Sequence, residues 1–186
     1  IPDDHYFYVR SCIRQNLFPA SEKTFLDITR NKLGKDFFET EHHTTCGGIA
    51  YHCDTIPQET SMTIIARQFA LMHKYGYENY VCSCITSFGL YTETLETWRE
   101  FPQLEAKIRE NLWETCRLEF AKPKYLAHAS DIIYKYRNLI AAQAKYKLIN
   151  RHTGKPLKVV EHIGCHYGKM FPSKSVGGAE YPYVLA

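Results

Sequence analysis

Residues 77–88 read YENYVCSCITSF. A tyrosine- and valine-rich run that closes on cysteines, with helical apolar spacing following at once, describes a strand delivering the chain into a helix. We read a strand over residues 77–84 and a helix over about 88–98. The same alternation recurs upstream. Residues 5–10 (HYFYVR) read as a strand that ends at Ser11-Cys12, and Pro19 opens a helix that Gly34 stops. Residues 37–44 (FFETEHHT) read as a second strand, and Cys46-Gly47-Gly48 follows as a turn. A helix from Pro57 to near Gly76 carries Ile64, Ile65, Phe69 and Met72 on one face. The order β-α-β-α-β-α predicts an α/β fold, a Rossmann-like and mainly parallel sheet with flanking helices. Cys12, Cys46 and Cys84 then each fall just past the carboxyl end of a strand, the edge where open α/β sheets bind ligands.

Downstream the pattern loosens. Residues 104–119 and 130–148 read as two helices separated by Lys122-Pro123-Lys124, the second with an apolar stripe of Ile132, Ile133, Tyr136, Leu139 and Ile140. Gly154-Lys155-Pro156 is a turn. Residues 157–163 (LKVVEHI) read as a strand that runs into Gly164-Cys165-His166-Tyr167, again a cysteine past a strand end. A second unit similar to the first is therefore expected to start there, and residues 172–186 read as loop. The expected division is 1–120 for the first unit, 121–156 for a helical connection and 157–186 for the start of the second.

Composition narrows the classes. The chain has 186 residues, 45% hydrophobic and 23% charged, which argues against disorder and coiled coil. A net charge of +3 is too small for a nucleic-acid or membrane surface. No stretch approaches the roughly 20 apolar residues of a spanning helix, and residues 1–5 lack the features of a signal peptide. A soluble, cytoplasmic protein is expected. The seven cysteines (12, 46, 53, 82, 84, 116 and 165) are odd in number and widely spaced, as reduced thiols or metal-bound thiolates would be. His42-His43 and His52-Cys53 fit no zinc-finger spacing, so surface or capping roles are expected for these histidines. No phosphate-cradling glycine loop, G-x-S-x-G elbow or H-E-x-x-H is present. The fourteen tyrosines and ten phenylalanines suit core packing and a subunit interface better than base stacking.

In order, strand-end Cys12, Thr45-Cys46-Gly47 and Cys84-Ile85-Thr86-Ser87-Phe88 form a pattern that resembles the cysteine-rich CCG domain of the B-type subunit of heterodisulfide reductase and its relatives. That domain has a first cysteine, a Cys-Cys-Gly, then a Cys-x-x-Cys followed by an aromatic residue. The family's second copy opens with a strand leading into Gly-Cys-His-Tyr, which residues 164–167 match. The resemblance covers essentially the whole chain, as one complete domain and the beginning of another.

The resemblance implies an iron–sulfur cluster held, in each intact domain, through five cysteines. Here Thr45 stands in place of the first cysteine of the Cys-Cys-Gly, and Ser87 in place of the last cysteine of the Cys-x-x-Cys. Cys12, Cys46 and Cys84 remain as ligands to metal and cofactor, and Cys165 would open the second site. Three thiolates suit a [4Fe-4S] cluster with one iron left for another ligand, or a [3Fe-4S] cluster, but not the five-ligand cluster. Ser87 is a further candidate because a serine oxygen can bind iron. Cys82 is another, since counting from Cys46 alone admits it as the motif's first cysteine; its alternative is a small apolar strand residue, and Phe88 after Ser87 favours Cys84. Cys53 and Cys116 match no ligand position and read as structural, and His166 reads as a neighbour of the second site.

For function the resemblance implies an iron–sulfur subunit of a heterodisulfide-reductase-like electron-transfer complex, an oxidoreductase acting on a disulfide or a protein-bound sulfur-carrying thiol. Its implied partners are a ferredoxin-like iron–sulfur subunit of the C type and a flavin subunit. The alternative is a non-catalytic assembly subunit whose degenerate domain has lost its cluster. Related cysteine-rich domains occur in glycolate and lactate oxidases, glycerol-3-phosphate dehydrogenases and some succinate or fumarate reductases, which leaves the substrate open.

Overall fold

The computed structural model describes residues 1–42, 45–144 and 148–158. Strands β1 (Tyr6–Val9), β2 (Phe37–Phe38), β3 (Asn79–Cys82) and β4 (Tyr125–His128) form one parallel sheet in the order β2-β1-β3-β4. The helices are α1 (Cys12–Leu17), α2 (Pro19–Leu26), α3 (Gly48–His52), α4 (Gln58–Lys74), α5 (Ile85–Glu100), α6 (Pro102–Cys116), α7 (Ala129–Lys135) and α8 (Arg137–Ala142). The chain is thus an α/β protein with a parallel sheet and flanking helices. Among the described residues no helix is long and apolar enough to cross a membrane.

All four residues of β1 are buried, because helices cover both faces of the sheet and neither set of alternating side chains meets water. Tyr6 and Tyr8 point to one face and pack with Phe25 and Leu26 of α2 and Ala129 and Ile132 of α7. Phe7, Val9, Tyr80 and Cys82 point to the other, against α4, α5 and α6. Phe69 of α4 meets Tyr80, Tyr91 and Trp98 edge-on, with ring centroids 5.1, 5.6 and 6.3 Å away. Each such pair adds about 0.5–1.5 kcal/mol beyond the area it buries. Trp98 is 1% exposed beneath Phe120, whereas Trp113 on α6 is 52% exposed beside Arg117.

Several elements differ from expectation. Helix α1 was not foreseen, since it is only six residues long and leaves its two large apolar residues, Ile13 and Leu17, exposed. The helix from Pro19 continues past Leu26 as a π-helical stretch, Asp27–Lys32. Strand β2 is two residues long rather than eight; beyond Phe38 the chain turns so that Glu39 receives Arg10 at 2.6 and 2.7 Å. Strand β4 follows directly on the Lys122-Pro123-Lys124 separator, so the sheet continues past residue 120 into the stretch read as a helical connection. The helix expected over 130–148 breaks at Tyr136, whose φ of −100° and ψ of 13° end α7 before α8 begins. Of the strand expected over 157–163 only Leu157 and Lys158 are described; its remainder, Cys165, His166 and the start of a second unit lie outside the described residues.

Candidate functional site

Neighbouring strands β1 and β3 leave the sheet in opposite directions, β1 towards β2 and β3 towards β4. Beyond the carboxyl ends of such a pair the following loops diverge and leave a crevice, the usual ligand position of an open α/β sheet. Cys12 follows β1 by three residues and Cys84 follows β3 by two, so the two flank this point. Cys12 is the first residue of α1, behind the N-cap Ser11, whose Oγ accepts the Arg14 N–H at 3.1 Å. Cys84 is the half-buried N-cap of α5.

Cys46 reaches the site by another route. It does not lie just past a strand, as expected, but eight residues beyond β2, in the loop that enters α3. Two glycines make its position possible. Gly47 takes φ +73°, a left-handed conformation that residues with a Cβ adopt only under strain. At Gly48 a Cβ would lie 3.1 Å from the Cys46 Sγ. With no Cβ there, the Gly48 N–H donates to that sulfur at 3.3 Å.

The two positions where the cysteine pattern is broken adjoin two of the remaining thiols. Ser87 Oγ donates to Cys46 Sγ at 3.1 Å, and Thr45 Oγ1 lies 3.8 Å from Cys12 Sγ. Burial is the main influence on the Cys46 thiol and pushes its pKa up. The Ser87 and Gly48 hydrogen bonds pull it down, and the nearby Cys84 and Cys12 raise it further. Cys12, Cys46 and Cys84 therefore belong to one electrostatic neighbourhood. Cys12 and Cys84 stand at the amino-terminal ends of α1 and α5, and Cys46 lies two residues before α3, near unpaired N–H groups that favour negative charge.

Cys82 sits in the core, 1% exposed, with its sulfur 3.8 Å from the carbonyls of Cys84 and Ala127. Burial drives its pKa well above the ordinary thiol value. Cys53 is exposed, and Cys116 packs half-buried against the core at the end of α6. His42 is exposed with its N–H on Thr40 Oγ1, His52 contacts the Tyr51 ring, and His43 lies outside the described residues.

Among the described residues no three His, Cys, Asp or Glu side chains are placed to share one metal ion. An iron–sulfur cluster asks for something else: its irons spread over several ångströms and each takes its own ligand, so the thiolates stand further apart than around one ion. The donors present are three thiols, two of them with a hydroxyl alongside, fewer than the five thiolates of an intact site.

Four residues not marked by the cysteine pattern surround the site. Buried Glu22 and Ser83, with half-buried Arg14, form a polar group linking the turns that carry Cys12 and Cys84. His128 ends β4 at the same sheet edge and caps α7: its Nδ1 accepts the Ser130 N–H at 3.3 Å, and Asp131 accepts the His128 N–H at 2.9 Å. Packing around the ring pushes the His128 pKa down to about 4, and burial pushes Asp131 up to about 6. The legible signal was the cap spacing of His128 and Asp131, which puts a polar side chain at N-cap and an acid three residues on.

No protein-family model matches the sequence. A curated protein, the B-type subunit of the ferredoxin:CoB-CoM heterodisulfide reductase of Methanosarcina acetivorans, is 24% identical over 192 aligned positions. The alignment takes in all of this chain and 59% of that protein, so the chain spans about three-fifths of its curated relative's length. Over its whole length, then, the chain is a protein similar in sequence to the B-type subunit of heterodisulfide reductase.

Proposed function

We propose that the chain belongs to the iron–sulfur subunit of a heterodisulfide-reductase-like electron-transfer complex, and that Cys12, Cys46 and Cys84 hold a [4Fe-4S] or [3Fe-4S] cluster. The observation that carries the reading is the contact of Thr45 with Cys12 and of Ser87 with Cys46. Thr45 thereby adjoins Cys12, and Ser87 adjoins Cys46, which supports convergence of positions distant in sequence. When bound, the cluster would supply one-electron storage beside a sulfur–sulfur bond. Splitting that bond takes two electrons and two protons and yields two thiols, the electrons arriving from a ferredoxin-like partner protein, with a flavin subunit upstream. In this chain Cys12, Cys46 and Cys84 bind, Ser87 orients the Cys46 sulfur or takes its place on iron, and the helix ends offset negative charge. Cys165 would open the second site.

A second reading is a docking subunit with a metal-free pocket. It is favoured by the hydroxyls at two ligand positions and by the buried Cys46 thiol, whose raised pKa suits a protonated, packed side chain. Anaerobic reconstitution with ferrous iron and sulfide separates the two. The first reading expects iron and sulfide in the protein, a broad absorption shoulder near 400 nm and an electron paramagnetic signal that Cys46→Ser abolishes. A colourless, iron-free product supports the second.

A further inference from the structure

Helix α1 carries Cys12 and buries none of its residues. Apolar packing therefore cannot hold this cysteine in place. Polar contacts do, and they converge on Ser83, the residue between Cys82 and Cys84. The Ser83 hydroxyl accepts the Ser11 N–H at 3.0 Å and donates to Glu22 Oε1 at 2.6 Å. Its carbonyl receives Arg14 Nη1 at 3.2 Å and a hydrogen bond from the His128 ring, and its own N–H reaches the Val9 carbonyl at 3.4 Å. Glu22 on α2 is 4% exposed; it also accepts the Tyr8 hydroxyl and lies 3.6 Å from Arg14 Nε. Every polar atom of Ser83 is engaged, and four of its partners (Val9, Ser11, Arg14 and Glu22) lie between the end of β1 and α2.

We infer that Glu22, acting through Ser83, is a positioning residue for the cysteine pocket: the pair ties the turn that carries Cys12 to the turn that carries Cys84 beyond the carboxyl ends of the paired strands β1 and β3. The buried carboxylate holds the Ser83 hydroxyl proton, which turns the hydroxyl lone pair towards the Ser11 N–H. Arg14 completes the loop by bridging Glu22 and the Ser83 carbonyl from α1 itself. The inference rests on the reading that Cys12 and Cys84 hold a cluster, but the tie between the two turns can be measured without one.

The test uses the full chain, iron-free and after anaerobic reconstitution, with Glu22→Gln, Ser83→Ala, Ser83→Thr and Tyr8→Phe. In the iron-free protein, amide hydrogen exchange over residues 11–17 should quicken at least tenfold in E22Q and S83A while α4 keeps its protection. In the reconstituted protein the same two variants should lose iron to a chelator about 10–100-fold faster, the usual scale for removing a ligand's supporting contact. Their paramagnetic line shape should also change. S83T, which keeps the hydroxyl, should restore both readouts, and Y8F, which removes one hydroxyl from beside the Glu22–Ser83 pair but leaves the hydrogen bond between the two in place, should leave iron loss within about twofold of wild type. Should S83A fail to fold, Arg14→Met removes the same tie from the solvent side. Unchanged exchange over residues 11–17 in E22Q and S83A overturns the inference. So does an unchanged line shape and iron-loss rate where wild type holds iron. A wild type that takes up no iron refutes the cluster reading alone, and the exchange result still decides the tie.

Discussion

Asp131 offers a direct measure of the electrostatics at the end of β4. The side chain is 2% exposed, and burial lifts its pKa from 3.8 to about 6 against the pull of the His128 N–H. An acid with a folded-state pKa above its unfolded value weakens the fold once it ionises. Nothing is lost below the unfolded pKa, the loss grows as pH rises through the window, and it is complete above the folded value. A displacement of about two pKa units corresponds to about 3 kcal/mol, of which about 2 kcal/mol develops between roughly pH 4.5 and pH 7.5. Asp131→Asn keeps an oxygen to accept the His128 N–H and cannot ionise. The difference in unfolding free energy, variant minus wild type, should therefore rise by about 2 kcal/mol across that range. Any fixed cost of the new amide group is the same at each pH and cancels. His128 acts in the opposite sense: with its pKa lowered to about 4, it adds stability above its unfolded value near 6.5 that is lost as pH falls. It does so in both proteins. Urea unfolding followed by circular dichroism at four pH values measures the difference, and a gap that stays constant within about 0.5 kcal/mol, or narrows with rising pH, refutes the reasoning.

Three further outcomes are expected. Iodoacetamide added to the iron-free protein should modify exposed Cys12 and Cys53 first and Cys46 and Cys82 at least about 100-fold more slowly, as mass spectrometry of the digest would record; equal rates at Cys82 and Cys12 would contradict the placement of Cys82 in the core. Gly48→Ala places a Cβ 3.1 Å from the Cys46 sulfur and 3.4 Å from Thr86 Cγ2, so it should cost about 1–2 kcal/mol by crowding and lower the midpoint of thermal unfolding; an unchanged midpoint would mean that the thiol moves aside freely. Thr45→Cys combined with Ser87→Cys restores the five-thiol set, and after anaerobic reconstitution the double variant should carry more iron per chain than wild type; an equal iron content counts against convergence of these positions.

The strands and helices that build the sheet's centre were legible because their signals are local. Tyr6 to Val9 and Tyr80 to Cys82 are short apolar runs, and the turns into α1 and α5 follow within three residues, so Cys12 and Cys84 fell where expected. What escaped depends on partners distant in sequence. β4 is a four-residue edge strand with only Ala127 buried, and it declares itself only by pairing with β3. The alternation over residues 37–44 suggested a longer β2, but β2 leaves β1 after Phe38 while β1 runs on to Val9, and the Glu39 ion pair with Arg10 draws the chain away. Cys46 was expected at a strand end and lies in a loop, placed by Gly48 and by Ser87, which is 41 residues away. Glu22 gave no sign of its role, because its partner Ser83 lies 61 residues along the chain.

The two tryptophans turn the molecule into its own optical gauge. Trp98 lies sealed among Phe69, Phe120 and the side chain of Lys122, and its ring nitrogen has no hydrogen-bond partner among the described residues. Trp113 is open to solvent beside Arg117. A buried indole in apolar surroundings emits to the blue of a solvated one and is shielded from iodide, so a single fluorescence spectrum contains two separable signals. The shielded component follows the integrity of the packed face on which Cys46 and Cys82 lie. The quenchable component responds to whatever touches the outer side of α6. Mounting a partner against that surface should dim or shift one colour and leave the other unchanged, without a label being attached to any of the cysteines.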